Sequence, residues 1–338
     1  MIFLLYLFIV IIFVFAFANK EKAIYAKLLY GVICGVLILY AAFRDGDAVA
    51  DYNVYLQYYE DYTEVLVEPS FVFISFIVHH VFAHPIFLFI IYAILGVTLK
   101  FWAIKQLTQL WFLSILIYIS YFFILHELTQ IRVGVASGIL LLSIKPLYER
   151  NLKRFLTYAI IAMLFHFSAI IVFVFWFLNP FRINRFLYSL LIPIAYVVYF
   201  LKINLVYIIP IPYIKEKMDI YQQLLDTQQI NVFNLLYLVK CVIFYYLLYF
   251  LPQLQAYNKY AIVLLKLYAI SLSCFTFFAI IPVLGFRISE LIGIVEIIVL
   301  PFIYYTIRPK EYSKLIVLAV VLVLSYVQIF HGELINPS

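Results

Sequence analysis

The chain has 338 residues, a formal net charge of +6 and a mean hydropathy of +1.09, with 67% hydrophobic and only 12% charged residues, against about 25% charged in an ordinary soluble domain. Apolar runs of about 17–25 residues, enough to cross a hydrocarbon core of about 30 Å, recur along it and leave no room for a soluble domain. The excess Lys and Arg sit in short loops between these runs, as membrane orientation requires, so the positive charge does not point to nucleic acid.

The expected fold is an all-α polytopic membrane protein, one integral membrane domain over 1–338 with about 11–12 membrane segments, because lipid demands that a segment satisfy its own backbone. The first run, Ile2 to Phe17, has neither a positive n-region nor a small-residue cleavage site and reads as a retained span. Lys20, Lys22 and Lys27 mark the next loop as cytoplasmic and place the N-terminus outside. A second span, about 23–43, then delivers residues 44–69 outside. That stretch is acidic, with Asp45, Asp47, Asp51, Glu60, Asp61, Glu64 and Glu68 against Arg44 alone.

The segment from Lys145 to Arg154 is the strongest cytoplasmic signal. Counting back through spans near 130–146 and 110–126 puts Lys100 and Lys105 inside as well. Residues 70–104 must then make one net crossing, although Ala83-His84-Pro85 splits them into two apolar stretches. Residues 70–83 are therefore expected to be re-entrant or interfacial on the outer side, and 86–104 to cross.

From the C-terminal side, Arg308, Lys310 and Lys314 mark an inside loop, and spans near 288–306, 260–282 and 232–252 place a loop over 202–231 outside. Asn179 to Arg185 carries two Arg and no acid, and prefers the cytoplasm. Residues 155–178 then enter and return, turning near His166-Phe167-Ser168, or else cross straight while 186–201 does not cross. A last span covers about 315–331. No internal repeat is visible, which weighs against an inverted-repeat transporter. Cys34, Cys241 and Cys274 lie in apolar runs without redox or metal-ligand spacing and read as free thiols.

A charge at membrane depth costs roughly 2.5–3.5 kcal/mol or more, so it faces a partner, a cavity or a substrate. Four constellations stand out on that ground. Arg44, Asp51, Tyr52, Tyr55 and Glu68 cluster where the second span reaches the outer surface. Arg44 offers a planar donor fork to phosphate, Tyr52 and Tyr55 share a helix face, and Asp51 or Glu68 can orient sugar hydroxyls or accept a proton. Asp45, Glu60, Asp61 and Glu64 fit an ordinary solvated loop. His126, Glu127, Gln130 and Arg132 gather at an external turn between two spans, with Arg132 toward the membrane side. His166 stands alone in apolar sequence, either as a helix–helix hydrogen bonder or as a base or phosphate ligand. Arg287 and Glu290 open a later span, either paired with each other or with Arg287 on phosphate and Glu290 holding it.

All four constellations map to the outer half of the membrane. The chain carries no glycine-rich phosphate loop and no zinc spacing, so neither nucleotide hydrolysis nor a bound metal is expected, and no cofactor. Aromatics reach 20%, with 31 Tyr and 34 Phe; most serve interfacial belts and packing, and the remainder suit the apolar faces of sugars. Together these signals suggest a site for an anionic lipid headgroup bearing polar groups, used on the outer face without ATP.

The order of these motifs resembles the EpsG-like branch of the Wzy-type O-antigen and polysaccharide polymerases. The matching features are Arg44 with Asp51-Tyr52 and Tyr55, Glu68-Pro69, Gln130-Ile131-Arg132, Arg150 to Arg154 leading into Leu164 to Ala169, and Phe286 to Glu290 with Pro301 beyond. Asp45-Gly46-Asp47 departs from the family pattern near Arg44, which leaves Asp47 and Asp51 as alternatives. The resemblance implies oligosaccharide repeat units on undecaprenyl diphosphate as substrate, joined on the periplasmic face of the bacterial inner membrane. An acceptor hydroxyl attacks the anomeric carbon of the donor chain and undecaprenyl diphosphate leaves. It also implies a Wzz-type chain-length partner. Arg132 and Arg287, with Arg44 as a third candidate, are then expected on diphosphate, and Glu68, Asp51 or His166 as the base. A flippase or exporter for the same lipid-linked unit, a membrane acyltransferase and an O-antigen ligase are the alternatives. The acyltransferase would need an acyl-CoA path from the cytoplasm. The 202–231 loop, with Lys215, Lys217, Asp219 and Asp226, would gate the site.

Overall fold

The computed structural model describes residues 2–18, 24–46, 48–203 and 230–330, and every regular element among them is helical. The chain is an all-α polytopic membrane protein. Ile24–Ala42, Ile86–Leu107, Trp111–Thr129, Ile131–Tyr148 and Lys310–Phe330 are each long and apolar enough to cross a bilayer, and Leu235–Tyr249 with Leu251–Tyr257 forms a further candidate bent by 76°. Other apolar helices are shorter, among them Pro69–Phe82, Phe167–Phe177 and Arg185–Phe200. The expected gate, 202–231, falls almost wholly outside the described residues, as does Asp47.

Within the expected single membrane domain, the chain folds as two compact units, one of Met1–Trp176 with Glu296–Ser338 and one of Phe177–Val295. In the first unit, α1 (Ile2–Ala18) and α2 (Ile24–Ala42) are followed by α3 (Tyr52–Glu60), α4 (Pro69–Ile77, prolonged as a π-helix to Phe82) and α5 (Ile86–Leu107). Pro69 starts α4 because a missing N–H costs nothing in a first turn. Ala83 takes a left-handed φ of 52° and, with Pro85, turns the chain so that Phe82 stacks on Phe87 and Phe71 meets Tyr92. The stretch Pro69–Phe82 thus lies back along the first turns of α5. At about 1.5 Å per residue it is about 21 Å long, short of a full crossing, in keeping with the short helix expected over 70–83.

Next come α6 (Trp111–Ile117), continued as an unusually long π-helix (Tyr118–Thr129), and α7 (Ile131–Tyr148), which packs against α5. The expected external turn over 125–132 is corrected here. Leu125 to Thr129 are buried and helical, and only Gln130 breaks the chain. A π-helix shifts each bond to i→i+5, which lets the chain stay satisfied up to the break; Gln130 N–H still donates to Leu125 O at 2.9 Å.

Asn151 caps α8 (Leu152–Phe165) by accepting from Arg154 N–H. His166 is extended (φ −155°, ψ 120°) and ends it; a 3₁₀ helix follows over Phe167–Phe177. The two arms come back together. Arg150 Nη1 donates to Trp176 O at 2.7 Å, and Phe155 packs on Trp176 with ring centroids 5.4 Å apart. The chain thus turns back on itself at His166, where the sequence places a turn. A 3₁₀ run of this length is uncommon.

In the second unit, α9 (Arg185–Phe200), α10 (Leu235–Tyr249), α11 (Leu251–Tyr257), α12 (Ala261–Phe277) and α13 (Pro282–Gly293) pack mainly on α12. Ile230, Val232 and Ala279 form a small core against Tyr196, Tyr199 and Phe275. The span expected over 288–306 is instead broken after Gly293. A short α14 (Glu296–Val299), a 3₁₀ turn at Leu300–Phe302 and α15 (Ile303–Thr306) precede α16 (Lys310–Phe330). Gly293 weakens the helix, and Pro301 withholds a donor from the run that follows.

Candidate active site

Three interruptions of the helical chain deliver three charged or titratable side chains to one place. Glu68 precedes Pro69, which forces it into an extended conformation (φ −64°, ψ 145°); its side chain does not cap its own helix. Arg132 follows the Gln130 break, and His166 is itself a break. Glu68 Oε2 pairs with Arg132 Nη1, and Glu68 Oε1 meets His166 Nδ1 at 2.9 Å. Glu68 is only 4% exposed and His166 8%. Arg132 stacks over Tyr55, Tyr58 and Phe71, with its guanidinium carbon 5.5–5.7 Å from each ring centroid, a cage that favours a cation.

Electrostatics fixes the roles available. Burial works to raise the Glu68 carboxyl, but the hydrogen bond from His166 and the charge of Arg132 prevail and hold it down at about 2. Glu68 is therefore ionised and fully engaged, which makes it an orienting group and a weak base. An ionised carboxylate can only accept, so His166 carries its proton on Nδ1. In the neutral ring this leaves the Nε2 lone pair available, and Nε2 is buried with no partner. Arg132 Nε is likewise buried and unpartnered.

A second buried cluster adjoins the first through Tyr55, which interacts electrostatically with both Arg44 and Arg132. Arg44 is 6% exposed. Its Nη1 donates to Glu127 O at 2.6 Å and Ala41 O at 3.1 Å, and its guanidinium carbon lies 4.4 Å from the Phe89 centroid and 5.9 Å from that of Tyr52. Burial pulls the Arg44 guanidinium down to about 10, against the raising effect of Tyr55, Tyr52 and Glu127, so it stays charged at neutral pH.

The Glu127 side chain pairs with Lys100 and accepts from Tyr118 Oη at 3.0 Å; Lys100 Nζ also donates to Gly134 O at 2.6 Å. Lys100, expected toward the cytoplasmic end of the crossing segment 86–104, is fully buried inside α5, where an ammonium in an apolar helix is tolerable only with a counter-charge. Sequence reasoning missed it, although Lys100 is the single charge between Ile86 and Ile104, the same signal that exposed Arg132 and His166. Gly96 and Gly134 make room for this pair. A Cβ at Gly96 would meet Glu127 Oε2, and one at Gly134 would come within 3.0 Å of it. Gly96→Ala should therefore lower stability by about 1–3 kcal/mol, the usual result of overpacking. Thermal unfolding in detergent measures this, and an unchanged midpoint would contradict it.

The remaining expected residues divide clearly. Tyr52 stacks on Phe89 at 4.5 Å, beside Arg44. His126 is fully buried with Nδ1 3.2 Å from Ser137 Oγ, and its Nε2 has no partner. Gln130 is half-buried at the break before Arg132. Asp51 is exposed at the head of α3, left-handed at φ 64°, and outside the buried clusters. Arg287 is exposed and Glu290 half-buried on α13 of the second unit. Among the described residues no group of three or more His, Cys, Asp or Glu is arranged to hold a metal ion.

A model of the EpsG family matches residues 27–333. No curated protein and no solved structure matches the chain.

Proposed function

We propose that this chain, which belongs to the EpsG family, is a polymerase that joins oligosaccharide repeat units carried on undecaprenyl diphosphate at the periplasmic face of the inner membrane. The observation that carries the reading is the buried Glu68 carboxylate gripping both Arg132 and His166, with Arg132 Nε and His166 Nε2 unspent. A guanidinium and a base held side by side in an apolar body suit a reaction that expels an anionic leaving group while removing a proton from a hydroxyl.

The step balances with these groups alone. The acceptor hydroxyl oxygen forms a bond to the anomeric carbon of the donor chain. The bond from that carbon to the diphosphate oxygen breaks, and undecaprenyl diphosphate leaves with the electron pair. The hydroxyl proton passes to His166 Nε2, while Glu68 holds the ring and stabilises the imidazolium, the part a carboxylate plays beside a catalytic histidine. Arg132 neutralises charge developing on the diphosphate, worth more in a water-poor site than in water. Tyr55 and Tyr58 offer aromatic faces to the sugar. Chain length is set by a Wzz-type partner.

Loss of the protein from its host should reduce surface polysaccharide to single repeat units on lipid, seen as collapse of the ladder on a gel. Re-expression should restore the ladder, and His166→Gln expressed at the same level should not. Full-length polymer in the absence of the protein would overturn the reading.

A further inference from the structure

Arg44 differs from Arg132 in what it holds. Arg132 is tied to a carboxylate, whereas Arg44 donates to two main-chain carbonyls, Ala41 O and Glu127 O. Its Nε and Nη2 are buried without partners. A buried donor left unmade costs free energy, more so on a charged group, and a guanidinium with one edge unspent is a fork shaped for two oxygens of a phosphate. The flat face of the group lies on Phe89, so the fork has little freedom to turn away.

What aims the fork is a set of residues with no direct part in the chemistry. Arg44 Nη1 is fixed by the carbonyl of Glu127. That carbonyl sits in the π-helix, and its residue is anchored by the buried bonds from Lys100 and Tyr118 to the Glu127 carboxylate. Lys100 reaches on to Gly134 O and so ties α5, the π-helix and α7 together.

We propose that Arg44 forms a phosphate-binding subsite in its own right, and that the buried Lys100–Glu127 pair is the positioning device that presents Arg44 to the phosphate. The phosphate chemistry rests on the reading above only in that a polyprenyl diphosphate is the natural source; a free diphosphate would be held by the same fork. Lys100 and Glu127 act through Arg44, so their effect on binding depends on Arg44 being present.

The test is binding by purified full-length protein in nanodiscs, with geranylgeranyl diphosphate and inorganic pyrophosphate as separate probes. Arg44→Ala should weaken geranylgeranyl diphosphate binding about 10- to 100-fold, the loss expected for a charge-assisted contact. Lys100→Met/Glu127→Met, which removes both charges at once and should remain folded, should weaken it by a similar factor in the native background and add nothing when Arg44 is already Ala. Weakening confined to the lipid probe identifies a headgroup as ligand; weakening of both identifies the diphosphate alone as sufficient; either supports the subsite. Native-strength binding of both probes by Arg44→Ala overturns it. Equal losses from the double variant with and without Arg44 overturn the positioning role. Binding is read without turnover, so failure of polymer synthesis would leave this result standing.

Discussion

Arg132→Ala should reduce chain extension by at least about 100-fold, the scale on which one transition-state donor contributes, with the protein still inserted in the membrane. The substitution removes the cation that faces the leaving group and also strips Glu68 of one of its two partners. Arg132→Lys keeps the charge but lacks the planar fork that can hold Glu68 through one nitrogen and a phosphate through another, so it should recover little. Glu68→Gln separates the two functions: it leaves Arg132 in its aromatic cage but no longer dictates which nitrogen of His166 carries the proton. A loss of about 10²- to 10⁴-fold is expected on the logic of a carboxylate that fixes a catalytic tautomer. Lipid-linked products resolved by length measure all three variants, and wild-type ladders from Arg132→Ala would remove Arg132 from the mechanism.

The second large effect is on stability. Glu127→Ala or Lys100→Ala should each destabilise the protein by about 3–5 kcal/mol, because each leaves a buried charge without its counter-charge. Both residues are essentially inaccessible, at 1% and 0% exposure of the side chain. Lys100→Met/Glu127→Met together should cost far less, since replacing a buried pair with apolar side chains of similar volume is often neutral. Thermal unfolding of the three variants in detergent is the measurement. A double variant less stable than either single one would show that the pair contributes net stability through its hydrogen bonds to Tyr118 and Gly134 rather than by mutual neutralisation.

Much of the fold follows from local signals. The apolar runs, the turn at Ala83-His84-Pro85 and the break at His166 are visible because hydrophobic periods and breakers act over a few residues. The stranded residues themselves are also visible, since Arg44, Glu68, Arg132 and His166 have no local reason to lie in apolar sequence. Their pairing is not. Glu68 meets His166 across 98 positions and Arg132 across 64, and no spacing rule reaches that far. Lys100 reads in the sequence as an orientation marker, because a lysine near the end of an apolar run satisfies the positive-inside rule; its pairing with Glu127 is visible only in the structure. The π-helix over Tyr118–Thr129 leaves no compositional trace, and its effect is to carry Glu127 inward where a turn at the surface would have left it exposed. Asp51 sits in the same expected motif but is exposed, with a left-handed backbone at the head of α3.

The broken hairpin that holds His166 links these observations. Its arms meet at Trp176, through Arg150 and Phe155, and its tip carries the imidazole to Glu68. Glu68 and His166 sit on breaks, and Arg132 lies in the first turn after one, so none of the three is held in mid-helix as they converge from three separate elements.

The most direct measurement is reconstitution of the purified protein with undecaprenyl-diphosphate-linked repeat units in nanodiscs, with no nucleotide added, following chain length and released undecaprenyl diphosphate together. The expected result is a ladder of longer lipid-linked chains, one undecaprenyl diphosphate released for each bond formed, and loss of both signals in His166→Gln. Transbilayer movement of the unit with no new bond and no released diphosphate would contradict it.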